Sequence, residues 1–238
     1  MENKLQTNLD TDLIKLVAII SMFIDHLGAV IFPQYIFMRW IGRLAFPLFC
    51  YTMTVGLVYT HDIKSYIKRI GIFALISQPF YILAFHGNDF YMEGFWASIL
   101  DPNILFTLFL SLIFMYGFVN RKVAVAIFAM LPLLLFDFDY NTLGIMLMLI
   151  FYCFREKKSL SLMFFVISYL PSIIFTSPMN IYNLNIFGLT LGGEIFCLLA
   201  IPLIYLNTRS KLKIPKYFFY IFYPAHLFAI YLINIFIN

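Results

Sequence analysis

The amino-acid sequence predicts an all-α, polytopic membrane protein built as a transmembrane helix bundle. Of its 238 residues, 63% are hydrophobic and only 12% are charged, and 29 are phenylalanine. Apolar segments of the length that crosses a bilayer, roughly 17 to 25 residues, recur along the whole chain. Because lipid offers no hydrogen-bond partner to free backbone groups, each of these segments is expected to be helical.

We predict about nine spans within a single integral membrane domain, residues 1–238. The fifth and sixth are separated only by Asp137-Phe138-Asp139, so this pair is either two crossings or a re-entrant hairpin. The first begins too far from the N-terminus and lacks a cleavage site of small residues, so it is expected to be retained. The predicted spans are 13–32, 36–59, 67–85, 104–119, 123–137, 139–154, 160–176, 187–207 and 217–237.

Basic residues set the predicted orientation, since they remain on the cytoplasmic side of a membrane. The N-terminal arm and the even-numbered connections hold 14 of the 16 Lys and Arg residues: Lys4, Lys15, Lys64, Lys68, Arg69, Arg121, Lys122, Arg155, Lys157, Lys158, Arg209, Lys211, Lys213 and Lys216. The opposite side carries the acidic residues Asp89, Glu93, Asp101, Asp137 and Asp139. The N-terminus is therefore predicted in the cytoplasm and the C-terminus outside, in a multi-pass protein of the cytoplasmic membrane.

The net charge of +4 follows from this asymmetry, so no nucleic-acid partner is expected. Cys50, Cys153 and Cys197 fall within or at the edge of predicted spans, without metal-ligand spacing. We expect them to be small buried hydrophobes, with neither a disulfide framework nor a metal site.

Asp25 and His26 are adjacent ionisable residues in the outer half of the first span. An Asp at the centre of a membrane helix costs roughly 2.5 to 3.5 kcal/mol on insertion scales, so it normally faces a partner or a polar cavity. Side chains at adjacent helix positions diverge by about 100°, so these two cannot readily orient each other. Each is expected to find a partner on another segment.

Arg39 and Arg43 are the two basic residues on the outer side, at the start of the second span. Their spacing of four places both on one helix face, and a short connection brings them close to the outer half of the first span. We therefore predict an ion pair between Asp25 and an arginine. Such a pair is either part of a functional site or a lock between two helices.

His226 lies in the last span, two residues after Pro224. The proline interrupts the helical hydrogen-bond pattern and can expose a backbone carbonyl beside the histidine near the middle of the membrane. A single membrane histidine is equally well explained as a neutral, hydrogen-bonded packing residue. The presence of His26 and two arginines in other spans favours a functional role.

Five segments resemble the TraX family: residues 12–28, 39–49, 66–81, 102–108 and 220–227. They include Ile-Asp-His-Leu-Gly in the first, Arg-Trp-Ile-Gly-Arg in the second and Tyr-Pro-Ala-His-Leu in the last. The resemblance follows the same order along most of the chain and is least clear between about 155 and 210.

The resemblance implies an integral membrane acyltransferase. The family is named for the enzyme that acetylates the N-terminus of F-type conjugative pilin, and it is similar to polytopic acyltransferases that modify sugars with acyl-CoA from the cytoplasm. The implied donor is acetyl-CoA, and the implied partners are membrane lipids and an acyl acceptor. Family membership does not fix that acceptor, which is a peptide such as pilin or a glycan.

The chemistry of acyl transfer matches the residues already singled out. The reaction needs a base for the acceptor's proton and a positive group near the developing oxyanion. His26 supplies the first and Arg39 or Arg43 the second, while Asp25 holds the guanidinium or orients His226. Asn103, at the start of the fourth span, is either an amide that binds substrate or a helix cap.

The donor is made inside, whereas the polar residues lie toward the outside, so the acyl group is expected to cross through the helix bundle. Lys68 and Arg69 are candidates for binding the CoA phosphates, with Lys64, Arg121 and Lys122. The alternative is that these are ordinary topology signals. Glu194 is a candidate to line the passage, with no role assigned to it, and His61 and His86 are expected to be solvated.

Two other classes of function also explain intramembrane charges. A proton-coupled transporter or flippase uses carboxylates, histidines and broken helices, although such carriers often contain related halves and no repeat is visible here. A non-catalytic assembly factor would need Asp25, His26 and the arginines only for folding.

Overall fold

A computed structural model of the chain describes residues 5–87, 101–177 and 181–237. Lys4, Asp89 and Glu93, which contribute to the predicted charge asymmetry, lie outside the described residues. The described chain is mainly helical, as predicted, and it also contains one two-stranded antiparallel sheet.

The helices and strands follow one another with short connections. In the described residues they are α1 (Thr11–Val30), α2 (Ile36–Gly42), α3 (Ala45–Tyr59), α4 (Ile63–Phe85), α5 (Ile104–Val119), α6 (Val123–Leu135), α7 (Leu143–Cys153), α8 (Lys158–Ile174), β1 (Leu184–Ile186), β2 (Leu189–Leu191), a 3₁₀ helix (Gly193–Ala200), α9 (Ile201–Tyr205) and α10 (Lys216–Ile237).

Four helical stretches in the described residues are long and apolar enough to cross a membrane: Thr11–Val30, Ile36–Tyr59, Ile63–Phe85 and Lys216–Ile237. They correspond to the first, second, third and ninth predicted spans. At 1.5 Å per residue, 20 residues extend about 30 Å, which is the thickness of the hydrocarbon core. The chain is therefore a membrane protein with at least these candidate spans.

The second predicted span is made of two helices. A turn at Arg43 and Leu44 separates α2 from α3. Pro47 lies in the first turn of α3, where its missing N–H costs no intrahelical hydrogen bond. Arg39 therefore lies within α2 and Arg43 in the turn that follows it, so the two side chains have different surroundings. In a continuous helix they would share one face.

The other predicted spans are shorter helices. Helices α5, α6, α7 and α8 have 16, 13, 11 and 17 residues. Helices α6 and α7 are therefore about 20 and 17 Å long, less than the roughly 30 Å of a bilayer core.

The prediction of a helix over 187–207 is wrong in its first part. Residues 184–191 form the β1–β2 hairpin, and helix begins only at Gly193. Phe187 and Gly188 form the two-residue turn with φ of 49° and 83°, the left-handed pair that a tight hairpin requires. The alternating pattern around this turn was hidden by the high hydrophobicity of the segment.

The chain resolves into two compact units, each drawing on separate parts of the sequence. The first unit is Met1–Val55 with Met146–Ile214, and the second is Gly56–Ile145 with Pro215–Asn238. The single-domain organisation expected from the sequence stays a prediction.

Aromatic side chains form the core of the first unit. Tyr51 of α3 meets Phe151 of α7 edge to face at 5.3 Å, and Phe151 contacts Phe165 of α8 at 5.8 Å. The Tyr51 hydroxyl also reaches the N-terminal arm, where it lies 2.8 Å from the Thr7 hydroxyl and donates to the Asn8 carbonyl. These contacts tie the arm to the core of the unit.

The second unit is organised around α4. Helix α10 packs on α4 through Phe73–Tyr220 stacking at 5.1 Å and an edge contact of Phe80 with Phe228 at 5.6 Å. Helices α5 and α6 approach closely at Gly117, where an added Cβ would lie 2.7 Å from the Ala126 backbone nitrogen.

Candidate functional site

Asp25 and Arg39 form the ion pair expected between the first two predicted spans. Arg39 Nη1 lies 2.5 Å from Asp25 Oδ2 and 3.2 Å from the Asp25 carbonyl oxygen. Both side chains are largely buried, with 17% of the aspartate and 18% of the arginine exposed. A short hydrogen bond between ionised groups in such a setting is stronger than a neutral one. The predicted Asp25–arginine pair is confirmed.

Two glycines allow α1 and α2 to approach closely enough for this pair. A Cβ added to Gly42 would lie 2.0 Å from Asp25 Oδ1, and one added to Gly28 would lie 2.6 Å from the Met38 Cβ. Real Cβ atoms are not found this close to other heavy atoms. Any other residue at either position would therefore force the neighbouring atoms to move.

Arg39 is also held on its other side. Its guanidinium carbon lies 5.4 Å from the centre of the Tyr182 ring, a cation–π contact. Trp40, the next residue, donates from Nε1 to the Tyr182 carbonyl at 2.9 Å and stacks on Phe196 at 4.8 Å. The segment after α8 therefore positions the arginine of the ion pair.

Arg43 pairs with a different carboxylate. Its Nη1 lies 3.2 Å from Glu194 Oε1, and both side chains are largely buried. Cys197 Sγ lies 3.2 Å from the Arg43 carbonyl oxygen and 3.3 Å from Glu194 Oε2, so its proton reaches either acceptor. Arg39 thus pairs with Asp25, and Arg43 pairs with Glu194.

The sequence did not assign a partner to Glu194, although two features of the sequence marked this residue as unusual. It is a carboxylate in an apolar segment, and it follows two glycines. A Cβ at Gly192 would lie 2.2 Å from the Ser172 carbonyl oxygen, and one at Gly193 would lie 2.6 Å from the Tyr182 carbonyl oxygen. The paired glycines let the chain before Glu194 pass close to two backbone carbonyls.

His26 is buried on α1, with 8% of its surface exposed. It follows Asp25 by one position, so its side chain leaves the helix about 100° away from that of Asp25. A buried imidazole on the same helix as one member of an ion pair is the type of group that acts as a base in acyl transfer.

His226 lies in the second unit, on α10, which continues as a helix through Pro224. Its Nδ1 is 2.9 Å from the Phe222 carbonyl oxygen, and its ring stacks on Phe222 at 5.2 Å. Because a carbonyl only accepts, Nδ1 is the donor, and a neutral ring then keeps Nε2 as its acceptor. The Phe222 carbonyl therefore orients the ring, whereas the carbonyl that Pro224 leaves without a helical N–H donor is that of Tyr220.

Asn103 is fully buried at the start of α5. Its Oδ1 accepts from the Leu105 N–H at 3.1 Å, and its Nδ2 lies 2.9 Å from the Ala74 carbonyl oxygen and 2.7 Å from Gln78 Oε1. The structure therefore contains the helix cap, one of the two roles considered for this residue, together with a link to α4. Substrate binding by Asn103 stays a prediction.

Lys68 and Arg69 lie in the second unit, on α4. Lys68 is exposed, and the guanidinium carbon of Arg69 is 5.9 Å from the Tyr66 ring centre. Arg69 also hydrogen-bonds Tyr220, and its Nε makes no hydrogen bond with any residue that the structure describes. Both therefore keep donors that an anion can use.

His86 was expected to be solvated, and this is wrong. Its Nε2 lies 2.9 Å from Asp101 Oδ2, and only 21% of its side chain is exposed. Tyr81 lies 3.4 Å from the same carboxylate oxygen, and Gln78 donates to the Asp101 carbonyl at 2.7 Å. Asp101, which follows the third predicted span, is thus the shared partner of these polar side chains. The spacing of the residues in the sequence did not indicate this cluster.

The three cysteines are free. Cys50 and Cys197 are buried as expected, whereas Cys153 is exposed at the end of α7. Across residues 5–87, 101–177 and 181–237, no group of three or more His, Cys, Asp or Glu side chains has the arrangement of a metal site.

Comparison with known proteins places the chain in a family. A family model described as TraX protein matches residues 10–234, which include both ion pairs, His26, Asn103 and His226. The chain belongs to the TraX family. The resemblance drawn from the five sequence segments is confirmed, and in this TraX family chain the match also covers the region between 155 and 210 where no motif was recognisable.

Two curated proteins are similar to this TraX family member. The "Probable fimbrial assembly protein FimC, serogroup H1" of Dichelobacter nodosus is 35% identical over 107 residues, 42% of this chain and 43% of that protein. An uncharacterized protein of Rickettsia prowazekii (strain Madrid E) is 29% identical over 218 residues, 85% of this chain and 82% of that protein. No solved structure matches the chain significantly.

Proposed function

We propose that the protein is a membrane-embedded acyltransferase that moves an acyl group from cytoplasmic acyl-CoA, acetyl-CoA in the first instance, to an amine or hydroxyl acceptor. The observation that carries the proposal is the Asp25–Arg39 ion pair, next in sequence to buried His26, in a TraX family chain. A paired, largely buried arginine and a buried histidine are the two kinds of group that acyl transfer needs.

His26 is proposed as the base. The acceptor nitrogen or oxygen attacks the thioester carbonyl and passes its proton to the imidazole. The carbon–sulfur bond then breaks, and the thiolate of CoA takes the proton as it leaves. His226, whose Nε2 is the acceptor atom of its neutral ring, is proposed as a second proton carrier, and its function within the reaction stays a prediction.

Arg39 is proposed to stabilise the oxyanion. Its Nη1 is committed to Asp25, while its buried Nε makes no hydrogen bond with the part of the chain that the structure describes. A buried donor without a protein partner is costly unless a ligand uses it, so Nε suits the oxygen of a bound acyl group. Asp25 keeps the guanidinium in place, and Arg43, held by Glu194, supports substrate binding beside it.

Asn103 is proposed as a substrate-binding group in the second unit, and Lys68 and Arg69 are candidates there for the CoA phosphates. Asn103 is fully buried at the start of α5, so in this proposal the acceptor replaces its contact with Gln78. Lys68 and Arg69 lie near the start of α4, on the side that the charge asymmetry makes cytoplasmic.

The proposed setting is the cytoplasmic membrane, with about nine crossings, the N-terminus inside and the C-terminus outside. The distribution of Lys and Arg supports this orientation. In this topology Asp25, His26, Arg39 and Arg43 lie toward the outer side, whereas acyl-CoA is supplied from within.

We propose a pilin-type subunit or another envelope component, such as a glycan, as the acceptor. The name of the Dichelobacter relative, a fimbrial assembly protein, favours the pilin-type subunit. The free α-amine of a processed subunit is a nucleophile that a histidine base can deprotonate.

The test uses inverted membrane vesicles supplied with radiolabelled acetyl-CoA on their exposed cytoplasmic face. Wild type, His26→Ala and the matched control His61→Ala are compared at equal protein level, since His61 is an exposed histidine of the loop before α4. We expect label to enter a peptide, glycan or lipid fraction with wild type and His61→Ala and to be lost by about a hundredfold or more with His26→Ala.

Equal transfer by His26→Ala would remove His26 from the reaction. A folded wild type that transfers no label from any acyl-CoA, with the acceptor present, would overturn the acyltransferase proposal and bring the transporter class forward.

A further inference from the structure

The first unit contains a cavity that the proposed reaction does not yet use. Its volume is about 500 Å³, and it lies between the N-terminal segment 5–10 and the loop 207–212. Cavities of roughly 300 to 1,000 Å³ are typical of small-molecule sites. In the proposed topology both walls are on the cytoplasmic side.

The walls of this cavity are held in one arrangement by hydrogen bonds rather than by regular secondary structure. Asp10 accepts from the Ser210 N–H at 2.7 Å, from the Ser210 hydroxyl at 2.8 Å and from the Thr208 hydroxyl at 3.1 Å. Asn8 donates to the Leu203 carbonyl at 2.8 Å and to the Thr208 hydroxyl at 2.9 Å. The loop is therefore preorganised, which lowers the entropic cost of binding a ligand.

The Asp10 carboxylate is held by hydrogen bonds from the loop. Burial raises the pKa of Asp10, but hydrogen bonds from Ser210, Thr208 and Leu13 lower it below its usual value. Both carboxylate oxygens are occupied by these donors. These hydrogen bonds stabilise the negative charge of Asp10 and hold the loop against the N-terminal segment.

The loop carries two basic residues whose charges have no such partner. Arg209 and Lys211 line the cavity and are exposed, and neither forms an ion pair with any residue in the described ranges. The cavity lining therefore has one negative and two positive side chains.

Lys211 has a backbone conformation that lysine rarely adopts. Its φ is 55°, in the left-handed region that favours glycine. Strained backbone at a cavity wall is commonly retained because it aims a functional group. The strained backbone of Lys211 and two basic side chains that form no ion pair with the described residues thus occur in one short loop that lines the cavity.

We infer that this cavity, in place of Lys68 and Arg69, binds a phosphate-bearing ligand, the nucleotide end of acyl-CoA, through Arg209 and Lys211. The inference rests on the proposed function for the identity of the ligand. An anionic lipid headgroup has the same phosphate chemistry and is the other source that the experiment must distinguish.

Helix α1 connects the cavity to His26, the proposed base. Asp10 in the cavity wall immediately precedes α1, and His26 lies 16 residues later on the same helix. At 1.5 Å per residue the two ends are separated by about 24 Å. A nucleotide anchored at the cavity would leave the long pantetheine arm of CoA free to follow α1 toward His26.

The experiment measures binding of adenosine 3′,5′-bisphosphate, the nucleotide end of CoA without its acyl arm, to the purified full chain in neutral detergent. Wild type is compared with Arg209→Gln/Lys211→Gln and with the control Lys157→Gln/Lys158→Gln. The control removes two exposed charges from the same unit, outside the cavity. Thermal unfolding of each variant checks its fold.

We expect saturable binding by wild type, about tenfold or more weaker binding by the Arg209/Lys211 variant, and unchanged binding by the control. Absence of binding by wild type, or equal weakening in both variants, would overturn the inference. Displacement of the nucleotide by soluble short-chain phosphatidylglycerol, but not by CoA, would overturn it in favour of a lipid site.

The result separates this inference from the proposed function. Acyl transfer with an unchanged KM for acyl-CoA in the Arg209/Lys211 variant would reject the cavity as the nucleotide site and leave the transferase proposal intact. Nucleotide binding that depends on the loop, without any acyl transfer, would keep the site and reject the transferase.

Discussion

Asp25 is an acidic residue in a helix long and apolar enough to cross the membrane, and Arg39, on the next helix along the chain, pairs with it. This contact was predictable because both residues lie near the same short turn between two spans. The contact of Arg43 with Glu194 was not, because 150 residues separate them and hydrophobicity does not specify which helices become neighbours. Burial of His26 followed from its setting, whereas the orientation of His226 required coordinates.

Removal of one member of the Asp25–Arg39 pair should destabilise the protein more than removal of both. Asp25→Ala leaves a largely buried, uncompensated guanidinium, which we expect to lower the free energy of unfolding by about 3 to 5 kcal/mol. Asp25→Ala/Arg39→Met removes the charge as well and should recover part of that loss. The measurement is equilibrium unfolding by SDS in mixed micelles.

Lys15→Ala is the control, because its pair with Asp12 on the same helix is longer, at 3.7 Å, and more exposed. It should change the free energy of unfolding by less than about 1 kcal/mol. A double variant that is less stable than Asp25→Ala alone would show that the cost does not come from the stranded charge.

At the level of helices and strands, long apolar segments with one face buried were predicted well. Helix α1 and the stretch from α2 to the end of α3 lie within two residues of the predicted bounds. The β1–β2 hairpin was missed because its strands are only three residues long and sit inside an apolar stretch. Asn103 is the case in which the cap signal and the structure agree, and it also fastens α5 to α4.

Asn103→Ala should destabilise the second unit. The substitution removes the acceptor for the Leu105 N–H and the donor to the Ala74 carbonyl and to Gln78 Oε1. Loss of a cap with a buried interhelical link should cost about 2 kcal/mol or more in the free energy of unfolding. Unfolding and the KM for acceptor are measured together.

Asn120→Ala at the other end of α5 is the matched control, because that side chain is exposed. It should shift stability by about 0.5 kcal/mol or less. Wild-type stability in Asn103→Ala, with a raised KM, would assign the residue to substrate binding in place of the cap.

For the whole molecule, the sequence predicted a polytopic helical membrane protein, and the structure agrees in class and in four candidate spans. The number of crossings depends on helices that are shorter than a bilayer core. Length and apolarity alone do not distinguish a short crossing from a re-entrant segment, because both are apolar and helical. The division into two interleaved units was also invisible to sequence patterns, since it depends on long-range contacts.

Cysteine labelling tests the nine-crossing topology. In a cysteine-free background, Asp137→Cys between α6 and α7 should react with a membrane-impermeant maleimide added to intact cells. Lys157→Cys, before α8, should react only in inverted vesicles. These outcomes follow if α6 and α7 each cross the membrane.

Protection of Asp137→Cys in intact cells would make α6 and α7 a re-entrant pair. The number of crossings would then fall by two, to seven, and the C-terminus would stay outside because two crossings are lost together.

The first unit is assembled from two distant stretches, Met1–Val55 and Met146–Ile214, and this has a consequence for its biogenesis. Arg43 leaves the ribosome long before Glu194, its partner. At about 5 to 20 residues per second, translation of the 150 residues between them takes roughly 8 to 30 seconds. During that interval Asp25 and Arg39 are both available to form their ion pair, whereas the carboxylate that pairs with Arg43 has not yet been synthesised. A ribosome stalled within the second unit would therefore hold a nascent chain in which Asp25 and Arg39 are both present but Arg43 lacks its carboxylate partner.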